Sequence, residues 1–322
     1  MHFVLNDQEN RSLMQKIAED EKLDHSFGEE QLFKIQSDFI FFANPFERTK
    51  ELHATTIFLE HGIGTKSTAF YPVLEYIDIY LVEGSYKYER LASLYPHLTH
   101  KLHKVGFSKF DPIANMPPDL KSSLSKAYNL DPTKKTILYA PTFFPSSIEK
   151  MDADFPRHFH NYNILIKAHY LTYERKQYKN QRKQLTHWNS FENCTVLDVD
   201  TYDLVPLFAL SDLMISDESS AMFEFAALNK PVVSNRYFKL RLSYYLRPSK
   251  LYKRIDKGKE KYREILYNAN NYNETLRLAK EALRQTPDRL AAKRVAFSKD
   301  ICGTIDGKVS ARIVDLLEGY HG

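Results

Sequence analysis

The chain has little cysteine: Cys194 and Cys302 stand far apart, without metal-type or redox-type spacing. A disulfide framework is therefore excluded, and so is a Cys-rich zinc module. No apolar run approaches the roughly 18 residues that cross a bilayer. The first residues, Met1 to Asn10, carry neither a basic region nor an apolar core and do not read as a signal peptide. Together these absences lead us to expect a cytoplasmic protein. No His-Glu-x-x-His, Cys-x-x-Cys or Gly-x-Ser-x-Gly occurs, so zincin, zinc-ribbon and α/β-hydrolase readings have no support. Glycine is scarce at 10 residues, whereas Phe and Tyr contribute 21 each. Hydrophobic residues make up 43% and charged residues 27%, a balance that argues for folded cores and against disorder. A length of 322 residues suits two domains.

The net charge of +4 hides a strong local excess. Between Arg236 and Arg263 there are eleven Lys or Arg residues and two acids, Asp256 and Glu260. Lys239, Arg241, Arg247, Lys250, Lys253 and Arg254 belong to it, interleaved with Tyr237, Phe238, Tyr244, Tyr245 and Tyr252. Basic residues mixed with aromatics suit an anionic membrane leaflet, a phosphate-rich polymer or a nucleic acid. A solvated helical surface would look the same, and charge alone does not choose among these.

Short apolar runs alternate with helix-length polar segments, the pattern of βα units around parallel sheets. In the first part the spacing predicts strands over 38–43, 55–60, 77–82 and 104–107. Pro112, Pro117 and Pro118 interrupt the pattern, so a boundary is expected near 118, giving domains 1–118 and 119–322. In the second part strands are expected over 135–140, 163–168, 195–197, 213–216 and 231–234, with helices over about 172–187 and 202–210 and from near 219. The tail reads as helices over about 272–284, 288–298 and 308–318, which we group with the second domain. The fold class expected is α/β: two Rossmann-like domains facing a cleft, with ligands outside the carboxyl ends of the strands.

Several segments carry candidate chemistry. In Leu213–Phe225 an apolar strand runs into Asp217-Glu218, then into Ser219 and Ser220 at a helix start. Backbone N–H groups, the helix dipole and two hydroxyls there would hold a phosphate, although plain N-capping needs the same residues. Glu224, a turn further on, could accept the hydroxyls of a ribose. His61 follows the strand ending at Glu60 and precedes Gly62, a place where an imidazole can act as a general base. The run Gly64-Thr65-Lys66-Ser67 is not a P-loop, because Thr65 stands where a glycine must precede the lysine. Thr142 and His169 fall at the ends of two strands, on one rim. Asp152-Ala153-Asp154 and Asp198-Val199-Asp200 have the form of metal-binding pairs, but Asp-x-Asp is common by chance and Asp200 precedes a helix, where a carboxylate caps well. We expect no required cofactor and no metal site.

In order and spacing these segments resemble the CDP-glycerol glycerophosphotransferase family of teichoic-acid primases and polymerases. The resemblance runs through His61-Gly62 with Lys66, Val105–Asp111, Ile137–Thr142, Ile166–His169, Ser211–Ser220 and Asp306–Ile313, roughly residues 55 to 318. It implies a GT-B-like fold with the nucleotide donor held mainly by the C-terminal domain. It implies CDP-glycerol or CDP-ribitol as donor, a lipid-linked or polymeric glycan acceptor, and work at the inner membrane face. On that basis Thr142, His169, Asp217, Ser219, Ser220 and Glu224 would bind donor, Gly62 and Lys66 would lie on the acceptor side, and His61 would be the base. The basic stretch would meet an anionic membrane or polymer, with no nucleic acid involved. Asp217-Glu218-Ser219-Ser220 departs from the family's usual Asp-Tyr-Ser-Ser, and Ile63-Gly64 from its usual Thr-Pro, so the transferred group could instead be ribitol phosphate or a sugar. The remaining alternatives are a GT-B glycosyltransferase using a nucleotide sugar, and a non-catalytic polymer- or membrane-binding module.

Overall fold

The computed structural model describes residues 1–6, 11–44, 46–63, 75–217, 219–240 and 257–320. Twelve strands among them form three parallel sheets. β1 (His2–Leu5) and β2 (Asp24–Phe27) pair with each other, joined by helix α1 (Arg11–Asp20). The strands β3 (Phe39–Phe42), β4 (Thr55–Leu59), β5 (Ile79–Val82) and β6 (Leu102–Lys104) lie side by side in sequence order. The third sheet has six strands: β7 (Thr136–Ala140), β8 (Asn163–Ile166), β9 (Cys194–Val196), β10 (Leu213–Ser216), β11 (Val232–Asn235) and β12 (Tyr267–Ala269). Their order is β12-β11-β10-β7-β8-β9. The central strands are apolar and buried on both faces, as a parallel sheet sandwiched between helices requires.

Helices fill the connections: α2 (Ser85–Leu94), α3 (Asp111–Ala114), α4 (Leu120–Ala127), α5 (Tyr170–Glu174), α6 (Lys179–Trp188), α7 (Val205–Leu210) and α8 (Ala221–Ala227). The tail adds α9 (Tyr272–Arg284), α10 (Ala291–Cys302) and α11 (Val309–Glu318). A reciprocal cap fixes the start of α9: Glu274 N–H donates to Asn271 Oδ1 at 3.0 Å, while Glu274 Oε2 accepts from Asn270 N–H at 2.8 Å. Leu278, Ala279, Ala282 and Leu283 then face one side of the six-stranded sheet.

Four expectations need correction. The strand expected at 104–107 is Leu102–Lys104, because Gly106 adopts φ +102° and turns the chain away from the sheet. The long helix expected over 172–187 is two helices, α5 and α6, joined by a 3₁₀ turn at Lys176–Tyr178. The short strands β1, β2 and β12 were missed; β12 closes the large sheet beside β11. The last helix, grouped with the second domain, packs on the first. Its Val309 and Ile313 share a buried cluster with Ile57, Ile79 and Leu81. An amphipathic helix fits any apolar face it can reach, so its sequence does not name the sheet it covers.

The chain thus crosses between the domains twice, near 105–107 and near 302–309. Phe107 and Phe110 enter the core of the large sheet, as do Ile301 and Cys302 of α10. The two crossings are tied together. Asp111 Oδ2 accepts from Ser310 N–H at 2.8 Å and Oδ1 from Val309 N–H at 3.2 Å, capping α11. Arg312 Nε donates to Val105 O at 2.7 Å, and Asn115 Nδ2 to Gly307 O at 2.8 Å. Two segments that carried the family resemblance are therefore one structural joint.

Candidate active site

On the N-terminal side, β4 delivers Glu60 and then His61 at its carboxyl end. His61 is exposed, and its Nδ1 lies 2.8 Å from Ala43 O, just beyond β3. A carbonyl oxygen only accepts, so Nδ1 carries the hydrogen and the neutral ring keeps its lone pair on Nε2. Gly62 is half-buried, and Ile63 is buried in the same cluster as Ala140 and Ala221. That cluster anchors the His61 loop in the core under the six-stranded sheet. Lys66 lies outside the described residues.

On the C-terminal side, the large sheet has its switch point at β7, which the chain leaves for β8 on one flank and regains as β10 on the other. Loops diverging there open a crevice beyond the strand ends. Thr142 follows β7, His169 follows β8, and Ser219 and Ser220 follow β10, so the sheet gathers four of the expected donor residues on one rim. His169 caps α5: its Nδ1 accepts from Leu171 N–H at 3.2 Å, which leaves the hydrogen on Nε2. Burial lowers its pKa to about 4, with Lys167 and Arg175 adding to the effect, so the ring is neutral near pH 7. Phe143 and Tyr170 flank the imidazole with ring centroids 4.8 and 4.6 Å away. Ser219 Oγ accepts from Ala221 N–H at 3.1 Å. Ser219 and Ser220 are both half-buried.

Asp217 does different work from that expected. It is 0% exposed, and its carboxylate is spent on the loop after β7. Oδ2 accepts from Thr142 N–H at 3.2 Å, Ser147 N–H at 3.2 Å and Ser146 Oγ at 3.3 Å, and Oδ1 accepts from the Ser147 hydroxyl. Burial pushes this carboxyl up to about 7 against the pull of those donors. Asp217 therefore shapes the rim through the loop after β7. The Thr142 hydroxyl is likewise turned into its own loop, donating to Pro145 O. Glu224 is 3% exposed, and its Oε2 is held by Lys109 Nζ at 2.7 Å. Sequence reasoning missed Lys109 as a partner, although it lies within the Val105–Asp111 segment that carried the resemblance.

Both Asp-x-Asp pairs are engaged within the fold, Asp200 with a lysine distant in sequence. Asp152 Oδ1 accepts from Asp154 N–H at 2.7 Å, Asp198 Oδ1 accepts from Thr201 N–H at 3.2 Å, and Asp200 pairs with Lys16 at 2.6 Å. Among the described residues no group of three or more His, Cys, Asp or Glu is arranged to hold a metal ion. Of the basic residues singled out, Lys239 is described: its Nζ lies 2.7 Å from Glu149 Oε1 and its N–H donates to Ser146 O at 3.2 Å. It anchors the start of the basic stretch to the loop after β7. Arg241, Arg247, Lys250, Lys253 and Arg254 lie outside the described residues. No helix among the described residues is long and apolar enough to cross a membrane.

Two parallel α/β units joined by a double crossing, with polar side chains at the strand ends, define a mixed α/β protein of GT-B-like fold. The family model for CDP-glycerol:poly(glycerophosphate) glycerophosphotransferase matches residues 59–319, and the chain belongs to that family. It is 27% identical over 260 residues to the teichoic acid poly(glycerol phosphate) polymerase of Staphylococcus epidermidis, covering 74% of this chain and 33% of that protein. It is 26% identical over 202 residues to the teichoic acid ribitol-phosphate primase of Bacillus spizizenii, covering 56% of this chain and 49% of that one. The chain thus spans a third to a half of these relatives' lengths. A solved variant of the wall teichoic acid polymerase TagF superposes with TM-score 0.67 at 19% identity, over 99% of this chain and 87% of that one.

Proposed function

We propose that this chain transfers an alditol phosphate, glycerol phosphate foremost, from a CDP-linked donor to an acceptor hydroxyl in cell-surface polymer synthesis. The family supports the donor class. The observation that carries the chemistry is the pair of opposite tautomers, with His61 keeping a lone pair on Nε2 and His169 keeping a hydrogen there. An imidazole with a free lone pair suits removal of the hydroxyl proton, and a neutral imidazole N–H suits a hydrogen bond to a phosphate oxygen.

His61 Nε2 takes the proton of the acceptor hydroxyl as its oxygen attacks the β-phosphorus of the CDP-alditol. The bond from that phosphorus to the bridging oxygen breaks, and CMP leaves with the electron pair. His169 Nε2–H, the hydroxyls of Ser219 and Ser220 and the Ser220 N–H hold the donor phosphates, while the Ser219 N–H donates to Asp217 O at 2.9 Å. The Lys109–Glu224 pair takes the ribose side that the sequence assigned to Glu224 alone, with Lys109 also available to a phosphate oxygen. Gly62 and Lys66 flank the acceptor. Ribitol phosphate is the second candidate group, supported by the ribitol-phosphate primase relative. We assign the acceptor to lipid-linked or polymeric glycan and the site of work to the inner membrane face, supported by the basic–aromatic stretch.

Thermal stabilisation by CDP-glycerol, CDP-ribitol, CMP, UDP and GDP tests this directly. A ligand at 100 times its Kd adds about 2.7 kcal/mol. Cytidine nucleotides should stabilise selectively, and the effect should shrink in the Ser219→Ala/Ser220→Ala double variant. Selective stabilisation by UDP or GDP would indicate a glycosyltransferase. In turnover assays His61→Ala should lose about 10²–10⁴-fold while CDP-glycerol still binds.

A further inference from the structure

The residue before His61 is a glutamate in a nearly dry environment. Glu60 is 6% exposed, and its Oε1 lies 2.5 Å from Lys87 Nζ in the first turn of α2. Glu83, at the end of β5, brings a second carboxylate to 3.7 Å from the same ammonium. Lys87 is 2% and Glu83 3% exposed. Taking three charges out of water costs several kcal/mol each, and apolar side chains of similar volume often serve stability as well or better. Stability alone is thus a weak reason for this cluster. Burial pushes the Glu83 carboxyl up to about 7, with Glu60 adding to the effect and Lys87 opposing it.

The helix that carries Lys87 has little freedom to move. A Cβ at Gly84 would run into the carbonyl oxygens of Asp300 and Ile301 in α10, so the two backbones touch. Gly303, at φ +70°, also sits close to Glu83 O, where a Cβ would come to 2.8 Å. Helix α10 packs on α8, which begins just after Ser219 and Ser220. Lys87 is therefore a peg fixed relative to the donor-side helix, and Glu60 is drawn onto it from the end of β4. The imidazole of His61 is meanwhile held from its other side by Ala43 O.

We propose that Glu60 and Lys87 are positioning residues for His61, their buried ion pair fixing the carboxyl end of β4 so that Nε2 meets the acceptor hydroxyl. The pair touches no substrate and acts through the backbone it holds. This assignment rests on His61 being the base.

The test compares Glu60→Gln, Glu83→Gln, Glu60→Gln/Lys87→Met and His61→Ala in the full chain, measuring kcat and KM for CDP-glycerol and melting temperature. Glu60→Gln should fold, because Glu83 remains to pair with Lys87. The double variant removes both charges of the pair, and Glu83, which Lys87 no longer pulls down, stays protonated and neutral, so this variant covers the case in which the single one does not fold. We expect kcat to fall about 10–100-fold in both, the scale of an ångström's misplacement, with KM within about twofold. Glu83→Gln should keep wild-type kcat, since the Glu60–Lys87 pair survives. A loss confined to melting temperature, with kcat within about twofold of wild type in the foldable variants, overturns the proposal. So does an equal kcat loss in Glu83→Gln, which would make any buried charge there sufficient. Wild-type turnover in His61→Ala would instead sink the base assignment itself.

Discussion

Three buried or half-buried ionisable side chains around the cleft have their protonation set by packing. His169 is kept neutral by burial, and Asp217 and Glu83 are each pushed up to about 7. For Glu83 the consequence has a definite sign. The unfolded chain releases this proton near the ordinary carboxylate value of 4.5, whereas the folded chain holds it to about 7. Raising the pH across that window therefore favours the unfolded state, and the cost is complete above it. Glu83→Gln removes this slope, so its melting temperature should gain on wild type between pH 5 and pH 8. A variant that does not gain on wild type over that range would show that the Glu83 carboxyl is not raised in the fold. The sequence made His61 and His169 visible because each directly follows a strand. It did not reveal their tautomers, which depend on Ala43 O and Leu171 N–H reaching a particular ring nitrogen.

At the scale of elements, the last helix is the most informative. Its apolar face, Val309 and Ile313, completes the core of the N-terminal sheet, although it lies at the far end of the chain. Ile313→Ala should cost about 2–5 kcal/mol, as buried Ile→Ala changes do. The damage should appear as protease cleavage within residues 38–105 before any within 135–235. Cleavage starting in the second region would contradict the packing. The spacing of apolar residues identified most strands of both large sheets, because parallel strands are continuous apolar runs of limited length. It missed β1, β2 and β12, which are only three or four residues long, too short for a period to show, and their pairing depends on neighbours brought from elsewhere.

For the whole molecule, the +9 carried by residues 236–263 is the strongest long-range feature of the sequence. Vesicles with anionic lipid should bind the protein and neutral ones should not. Raising salt from 0.05 to 0.3 M should weaken that binding, because the Debye length shortens as salt rises. Equal binding to neutral vesicles would remove the electrostatic role assigned to the stretch. Lys239 ties this stretch to the loop that Asp217 holds beside Thr142. Composition and pattern alone determined that the chain is α/β, that its two parts are built on parallel sheets, and that polar residues collect at strand ends, since each of these follows from local periodicity. Only the tertiary structure decided that Asp217 supports the rim, that Glu224 is shared with Lys109, that Glu60 pairs with Lys87, and that α11 returns to the first domain. Those depend on which groups distant in sequence are buried together, where an unpaired charge is too costly to leave and each carboxylate takes the nearest donor.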